Sequence, residues 1–588
     1  MQIDIIDHII KIAIDNPKRE AVLDRSRVYT YKDVIDVASQ IARYLSAQVV
    51  SAEDVVGIRM DRSYSSICAT LGVMMSGAAF LPIDKNIPYE RVCYMCDTAN
   101  VKVVLSDTSD IPIDKRFVNI NLLKYSYFES IANNEYICNN FGINQLAYVI
   151  FTSGSTGMPK GVMIEYAGMQ NHLYEKVRIL SMNENTVVAF NASISFDISV
   201  WQMLSPLLVG GKVVVFSNEE IIHVSGFCRK LIEHKVTLLE LVPTYLNLLI
   251  DECRRLNTSL INLEKIISTG EELTKYTVER WFDVFKFIPI INAYGPTEAS
   301  DDVTHCVITS SNQYEVIPIG APIKNVKLLI KDENNNTCGI DEKGELVIIG
   351  ICVGRGYIGD NQETEKYFYL DSEINNREYK TGDIVSRQKD GNLIFWGRVD
   401  RQIKIQGNRI ELSEIEYAIT KCNANIIQTA VFFDDVSERI KACYTASKMV
   451  SSSDVRSFVE SVLPDYMVPS EIIQISAMPV NTNGKIDNKL LHKHFKHEIN
   501  SKINNYKKLD LEEEIMNFMS ELLKKPLPND SNWKDDIQTI GFNSILIIKL
   551  IIRIEEEYNF EFVDEDVISK TVYNFNNLID SIRKAVKF

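Results

Sequence analysis

The chain has 588 residues, 46% of them hydrophobic and 24% charged, an ordinary globular balance with room for several domains. Its formal net charge of −16 argues against nucleic acid or an anionic membrane surface as the main partner. No apolar stretch is long enough to span a bilayer, and the start MQIDIIDHIIKIAIDNPKRE lacks the basic and purely apolar regions of a signal peptide. The 11 cysteines are therefore expected to be free thiols in a reducing cytoplasm.

The opening residues place apolar side chains at helical spacing and predict an amphipathic helix. Helical stretches then alternate with the β-branched runs VVGIRM, VKVVLSD, AYVIFTSG, TVVAF and KVVVF. That alternation predicts layered α/β structure with apolar central strands. ELVIIG, NLIFWGR and QIKIQG read as later strands parted by Gly and Asn turns. Residues 400–492 follow a shorter α+β pattern, and 493–508 form a polar linker rich in Lys and Asn. Residues 509–588 read as all-helical, with 7 Asp and 9 Glu against 7 Lys and 2 Arg, which makes this part acidic. The expected architecture is multidomain α/β: a large domain over 1–399, a small α+β subdomain over 400–492, the linker, and a small helical domain over 509–588. No internal repeat stands out.

Two clusters are read as structural. Cys93 and Cys96 form a C-x-x-C on a predicted helix, without a second pair at zinc-like spacing. His492, His494 and His497 lie beside the linker and read as a solvated basic patch.

The most informative string is Phe151-Thr152-Ser153-Gly154-Ser155-Thr156-Gly157-Met158-Pro159-Lys160-Gly161, directly after the apolar run LAYVI. Glycines let a backbone approach phosphate, hydroxyls and amides donate to its oxygens, and Lys160 adds positive charge. A Ser/Gly-rich surface loop has the same composition. The string is not a P-loop, because G-x-x-x-x-G-K-[ST] is absent from it.

TSGSTGMPKG resembles the phosphate loop of the adenylate-forming superfamily, which includes acyl-CoA synthetases, luciferases and the adenylation domains of nonribosomal peptide synthetases. MSGAAFLPID, NAYGPTE, YKTGDIV, GRVDRQIKIQGNRIELSEIE, LPDYMVP and NTNGKID follow in the family's order. The resemblance implies an adenylate-forming N-terminal domain and a C-terminal subdomain. It also implies roles. Thr152, Ser153, Gly154, Ser155, Thr156, Gly157 and Lys160 would embrace the phosphates of ATP. Asn292, Ala293, Tyr294, Gly295 and Thr297 would line the nucleotide site, with Tyr294 on adenine. Glu298 would hold Mg²⁺, and Asp383 with Arg398 would take the ribose. Lys485 would bridge the substrate carboxylate and α-phosphate. Asp400 would be a hinge that brings Lys404 and Gly407 to the site for a second half-reaction. Phe151, Gln406 and Asn488 depart from residues common in the family.

In Gly541-Phe542-Asn543-Ser544-Ile545 a serine opens an apolar helix, which alone reads as an N-cap. The string resembles the modification site of peptidyl carrier proteins, with Asn543 in place of the usual Asp. The resemblance implies a four-helix carrier domain with 4′-phosphopantetheine on Ser544. The implied activity is amino-acid activation with ATP and transfer to that thiol. The implied partners are a phosphopantetheinyl transferase, a downstream condensation or transferase enzyme in trans, and an MbtH-like activator.

By the same resemblance, Asp197 in Phe196-Asp197-Ile198-Ser199 would hold an α-ammonium and so separates amino-acid activation from an acyl- or aryl-CoA ligase. Aligned motifs select Asp197, Ile198, Trp201, Glu240, Ile267, Thr269, Ala293, Asp301, Asp302 and Lys485 for the substrate pocket. Glu240, Asp301 and Asp302 together call for a cation. The expected substrate is thus 2,4-diaminobutyrate, then 2,3-diaminopropionate, with serine as runner-up if only one acid faces the pocket.

Overall fold

The computed structural model describes residues 4–107, 116–120, 142–154, 157–371, 376–400, 402–434, 437, 439–475, 477–479, 511–523, 527–528, 534, 537–540, 542, 546, 549–551, 553–554, 557 and 574–586. Ser155, Thr156, Lys485, Ser544, the linker and the three histidines beside it lie outside the described residues. The chain forms two compact units, Met1–Ala477 and Met478–Phe588.

The first unit opens on the helix Ile5–Asp15, capped by Asp4, whose carboxylate accepts from the amides of Ile6 and Asp7. Ile5, Ile6, Ile9, Ile10 and Ala13 form its buried face, as the spacing predicts. A nine-stranded sheet then runs Ala321–Pro322, Thr304–Ile308, Ile290–Tyr294, Lys265–Ser268, Leu238–Leu241, Val187–Phe190, Lys212–Val215, Glu20–Asp24, Arg27–Thr30. From Ile290–Tyr294 to Glu20–Asp24 the pairing is parallel throughout. A seven-stranded sheet runs Gly356–Tyr357, Lys160–Glu165, Leu146–Thr152, Ala79–Ile83, Val55–Arg59, Val103–Ser106, Phe117–Asn119. Its central strands are buried along nearly their whole length, which is why their sequences are apolar runs instead of alternations.

A smaller antiparallel sheet follows, in which Asn376–Arg387 pairs with Leu393–Arg398 and sets Asp383 opposite Arg398. Next comes the hairpin of Gln402–Ile405 and Asn408–Glu411. Gln406 at φ 49 and Gly407 at φ 78 turn it through the left-handed region, the turn that matches strand twist. The strands Ile426–Asp434, Arg439–Ala446 and Glu471–Gln474 form a three-stranded sheet. The helices Leu412–Cys422 and Ser452–Val462 pack Ile415, Ile419, Val455 and Val459 into the same core as its strands. This is the predicted α+β portion.

In the second unit, the helices Leu511–Leu523 and Phe575–Val586 share a core built on Ile515, Phe518, Met519, Leu578, Ile579 and Ile582, joined by Leu550 and Ile554. The apolar positions in LEEEIMNFMSELL thus face inward as their spacing predicts. Cys93 and Cys96 sit on the helix Tyr89–Thr98 as free thiols. Among the described residues, no helix is long and apolar enough to cross a membrane.

Candidate active site

A cavity of about 720 Å³ opens beyond the carboxyl end of Ile290–Tyr294, where open α/β sheets place their ligands. Thr152, Ser153, Asn292, Ala293, Tyr294, Gly295, Thr297, Asp383, Arg398, Asp400, Lys404 and Gly407 line it. So do Asp197, Ile198, Thr269 and Asp301. Motifs scattered from residue 152 to 407 therefore meet around one space.

Local backbone demands explain several of these positions. A Cβ on Gly154 would meet the Met158 carbonyl oxygen at 1.9 Å, and one on Gly295 would meet the Asp301 oxygen at 1.8 Å. Only glycine fits either place. Ser300 and Asp301 both hold positive φ, 61 and 75, after the short turn Thr297–Ala299, and this kink places Asp301 on the cavity wall.

At the nucleotide end, the Tyr294 hydroxyl donates to Asp383. Arg398 Nη1 reaches Asp383 Oδ1 at 2.5 Å, while its Nε and Nη2 donate to Asp400 at 2.7 and 2.6 Å. Arg398 is held well above its ordinary pKa, because these carboxylates outweigh its burial. Asp383 and Arg398 thus form one clamp, and the expected hinge residue Asp400 is its third member.

Gly154, Gly157, Lys160 and Glu298 do not line the cavity in this arrangement. Lys160 pairs with Glu363 Oε2 at 2.5 Å and lies over the rings of Tyr357 and Tyr367. Glu298 is fully buried. Arg409 Nη1 donates to both its oxygens, at 2.7 and 3.0 Å, and the Tyr357 hydroxyl donates to Oε1 at 2.8 Å. Against the cost of burial, Arg409 keeps the Glu298 carboxyl below its ordinary pKa and therefore anionic.

The hairpin that carries Arg409 closes the cavity. Lys404 projects into it, and the Gly407 amide donates to Glu271 Oε1 at 3.1 Å. Ser153 Oγ donates to the Arg409 carbonyl at 2.8 Å, and the Gly154 amide to Glu414 Oε2 at 3.0 Å. Arg91 ties down the other oxygen of Glu414 at 2.5 Å. Loss of hydration lowers the Lys404 pKa, with Asp383 opposing the effect and Arg409 and Arg398 adding to it.

At the other end, Asp197 caps the helix Ile198–Leu208, accepting from the Ile198 amide at 3.0 Å. Burial pushes its pKa up. Beyond it the residues expected at the side-chain pocket fall in two places. Asp301 lines the cavity, but Trp201, Glu240, Ile267 and Asp302 do not; all four are buried behind its wall. Trp201 Nε1 donates to Glu240 Oε2 at 2.5 Å, so this ring is a hydrogen-bonded part of the core. The acids are also not without a cation. Lys176, fully buried on the helix Tyr166–Leu180, places Nζ 2.5 Å from Asp302 Oδ2 and 3.7 Å from Glu240 Oε2. His305 Nε2 lies 3.2 Å from Asp302, and His172 Nε2 lies 3.3 Å from Asp301.

Sequence reasoning missed Lys176, His172, His305, Arg409 and Glu271. Lys176 left one signal: it occupies the buried stripe Met169, Leu173, Leu180 of its helix, where a lysine needs a partner. Arg409 stood inside the motif GNRIELSEIE, but its partner Glu298 lies 111 residues away.

Comparison with known proteins agrees with this architecture. Residues 11–358 match the family of AMP-binding enzymes. The chain is 35% identical over 484 residues to bacitracin synthase 1 of Bacillus licheniformis, covering 81% of this chain and 9% of that protein. It therefore spans less than a tenth of that relative's length. It is 31% identical over 492 residues to zwittermicin A synthase ZmaJ of Bacillus cereus, covering 81% of this chain and 92% of that protein. Among solved structures, holo-PA1221, an NRPS protein containing adenylation and PCP domains, aligns with a TM-score of 0.73 at 23% identity, over 94% of this chain and 92% of that one. Taken with the cavity and its motifs, these matches show that the chain belongs to the AMP-binding enzyme family and is of the adenylation-domain kind found in nonribosomal peptide synthetases.

Proposed function

We propose that the protein activates a short polar amino acid as its aminoacyl-adenylate and loads it onto a phosphopantetheine thiol at Ser544. The observation that carries the reading is the shared cavity, with Asp197 at one end, Asp383 and Arg398 at the other, and Lys404 reaching in. A buried carboxylate at 197 suits an α-ammonium, which would be wasted on a simple acyl or aryl acid. The Asp383–Arg398 clamp suits ribose hydroxyls. ATP supplies the α-phosphoryl group that the substrate carboxylate attacks, and pyrophosphate leaves. Cations must then meet the added negative charge. Lys485 takes that role by resemblance, and Glu298 would hold Mg²⁺, which offsets the charge of the phosphates. The carrier thiol then attacks the adenylate carbonyl and expels AMP.

The two steps need different surroundings in one cavity. The hairpin with Lys404 and Gly407 on the site suits the second step, and rotation near Asp400 would exchange it for Lys485 in the first. Domain limits follow the sequence: 1–399 and 400–492 for adenylation, 493–508 as linker, and 509–588 as a four-helix carrier. The partners proposed are a phosphopantetheinyl transferase, an acceptor enzyme and an MbtH-like activator.

Of the three acids expected around the side chain, Glu240, Asp301 and Asp302, Asp301 is the one in the cavity lining, which favours serine, the runner-up from sequence. A second reading, 2,4-diaminobutyrate, rests on Glu240 Oε1 and Asp302 Oδ1, buried oxygens with no hydrogen-bond partner among the described residues. The test of loading is intact mass. After a phosphopantetheinyl transferase and CoA, the protein gains one phosphopantetheine, and amino acid with Mg·ATP adds one aminoacyl group. Ser544→Ala gains neither. A gain that persists in Ser544→Ala overturns the assignment.

A further inference from the structure

A cluster of ionisable side chains, Lys176, Glu240, Asp302, His172 and His305, lies beside Asp301 of the cavity wall and has no part in the proposed adenylation chemistry. The three carboxylates, Glu240, Asp301 and Asp302, are at most 4% exposed. His172, Asp301 and Asp302 bring one potential ligand atom each within 4.8 Å of one another. A metal ion does not suit the place, because the Lys176 ammonium already touches Asp302 and lies 4.8 Å from the centre of the Trp201 ring. The chain supplies its own cation.

We propose that Lys176 is a specificity-determining residue, the built-in counter-cation that makes the side-chain pocket select short amino acids with uncharged, hydrogen-bonding side chains over diamino acids. The inference rests on the adenylation reading above.

Lys176 and Asp302 form a buried ion pair that cancels to zero charge. The two imidazoles add none: burial and Lys176 push His172 down to about 3, and burial lowers His305 despite Asp302 beside it. Asp301 is pushed well above the usual carboxylate range by burial and by Asp302 and Asp197, so it faces the cavity as a neutral carboxyl. A carboxyl both donates and accepts, which suits a hydroxyl or amide. Glu240 is pushed up to about 7 by burial, against the pull of Lys176. A side-chain ammonium at Asp301 would lose its hydration and face the ammonium of Lys176 in the same dry cluster. Without Lys176, Asp302 would lack its cation, and a substrate ammonium would restore the balance. Lys176 touches no cavity wall, so it acts through the acids as a positioning residue.

The experiment is ATP–pyrophosphate exchange by the full chain with serine and with 2,4-diaminobutyrate, comparing kcat/KM. Three proteins are compared: wild type, Lys176→Met, and the double variant Lys176→Met with Asp302→Asn. Wild type is expected to prefer serine. Lys176→Met should move the ratio toward the diamino acid by about tenfold or more, through KM for the amino acid and not for ATP. The double variant removes both charges and should return to serine. A wild-type preference for the diamino acid overturns the proposal and leaves adenylation standing. So does an unmoved ratio in Lys176→Met. Exchange with no amino acid at all would instead reject the adenylation reading. If Lys176→Met fails to fold, the wild-type preference and the double variant decide.

Discussion

Arg409 grips Glu298 through both carboxylate oxygens, at 2.7 and 3.0 Å, and so holds the hairpin of the small subdomain against the carboxylate proposed for Mg²⁺. One guanidinium thus stands where the first half-reaction would need a metal. On the proposed reading the two occupants would exclude each other, which would link the nucleotide state to the position of the hairpin. Arg409→Gln is expected to leave ATP–pyrophosphate exchange largely intact and to slow loading of Ser544 by roughly 5- to 150-fold, the range of a coupling between sites. Single-turnover loading beside exchange reads the difference. Equal losses in both assays contradict the link.

Gly407 gives a steric version of the same test. Its φ is +78, and an added Cβ would lie 2.7 Å from Val242 Cγ1. Gly407→Ala therefore strains the turn just where it meets the core, at a cost of about 1–3 kcal/mol. Loading is expected to slow by roughly tenfold or more while exchange is spared. Lys404→Ala should show the same split, since Lys404 enters the cavity only with this hairpin.

Lys485 is expected to show the opposite split. Lys485→Ala should lower exchange by about 10²–10³, a usual loss for one charge-stabilising group. Transfer from a chemically prepared aminoacyl-adenylate should be nearly unchanged. Normal exchange in this variant would contradict its role.

Glu240 gives a pH signature. Burial penalises its charged form and pushes the carboxyl up to about 7 in the folded protein, from 4.5 for the ordinary group. The folded state therefore binds more protons between these pH values, and stability falls as pH rises through the window. Glu240→Gln keeps an acceptor for Trp201 Nε1 without titrating. Its melting temperature relative to wild type is expected to rise by a few degrees from pH 5 to pH 8. A difference that stays constant with pH would show that Glu240 keeps an ordinary pKa.

The fold was legible because its strands carry local signals. VVGIR, VVAF and KVVV are apolar runs, and each became a central strand. The meeting of Thr152, Ser153, Asn292, Tyr294, Asp383 and Arg398 around one cavity was legible because these residues sit in compact motifs. The residues expected at the substrate end divide between cavity wall and core. Asp197, Ile198, Thr269, Ala293 and Asp301 reached the cavity wall, but Trp201, Glu240, Ile267 and Asp302 turned into the core. The reason is physical. Sequence order shows three acids and predicts repulsion, but it does not show that a helix 64 residues before Glu240 delivers Lys176 among them. Arg409 was hidden in the same way, since a motif names a residue without naming its distant partner.

The central claim is amino-acid adenylation, and ATP–pyrophosphate exchange over a panel of amino acids and simple carboxylic acids tests it most directly. Exchange is expected to depend on one or a few amino acids with short polar side chains and to fall by orders of magnitude in Asp197→Ala. Exchange driven by acids lacking an α-ammonium, and unaffected by Asp197→Ala, would contradict it.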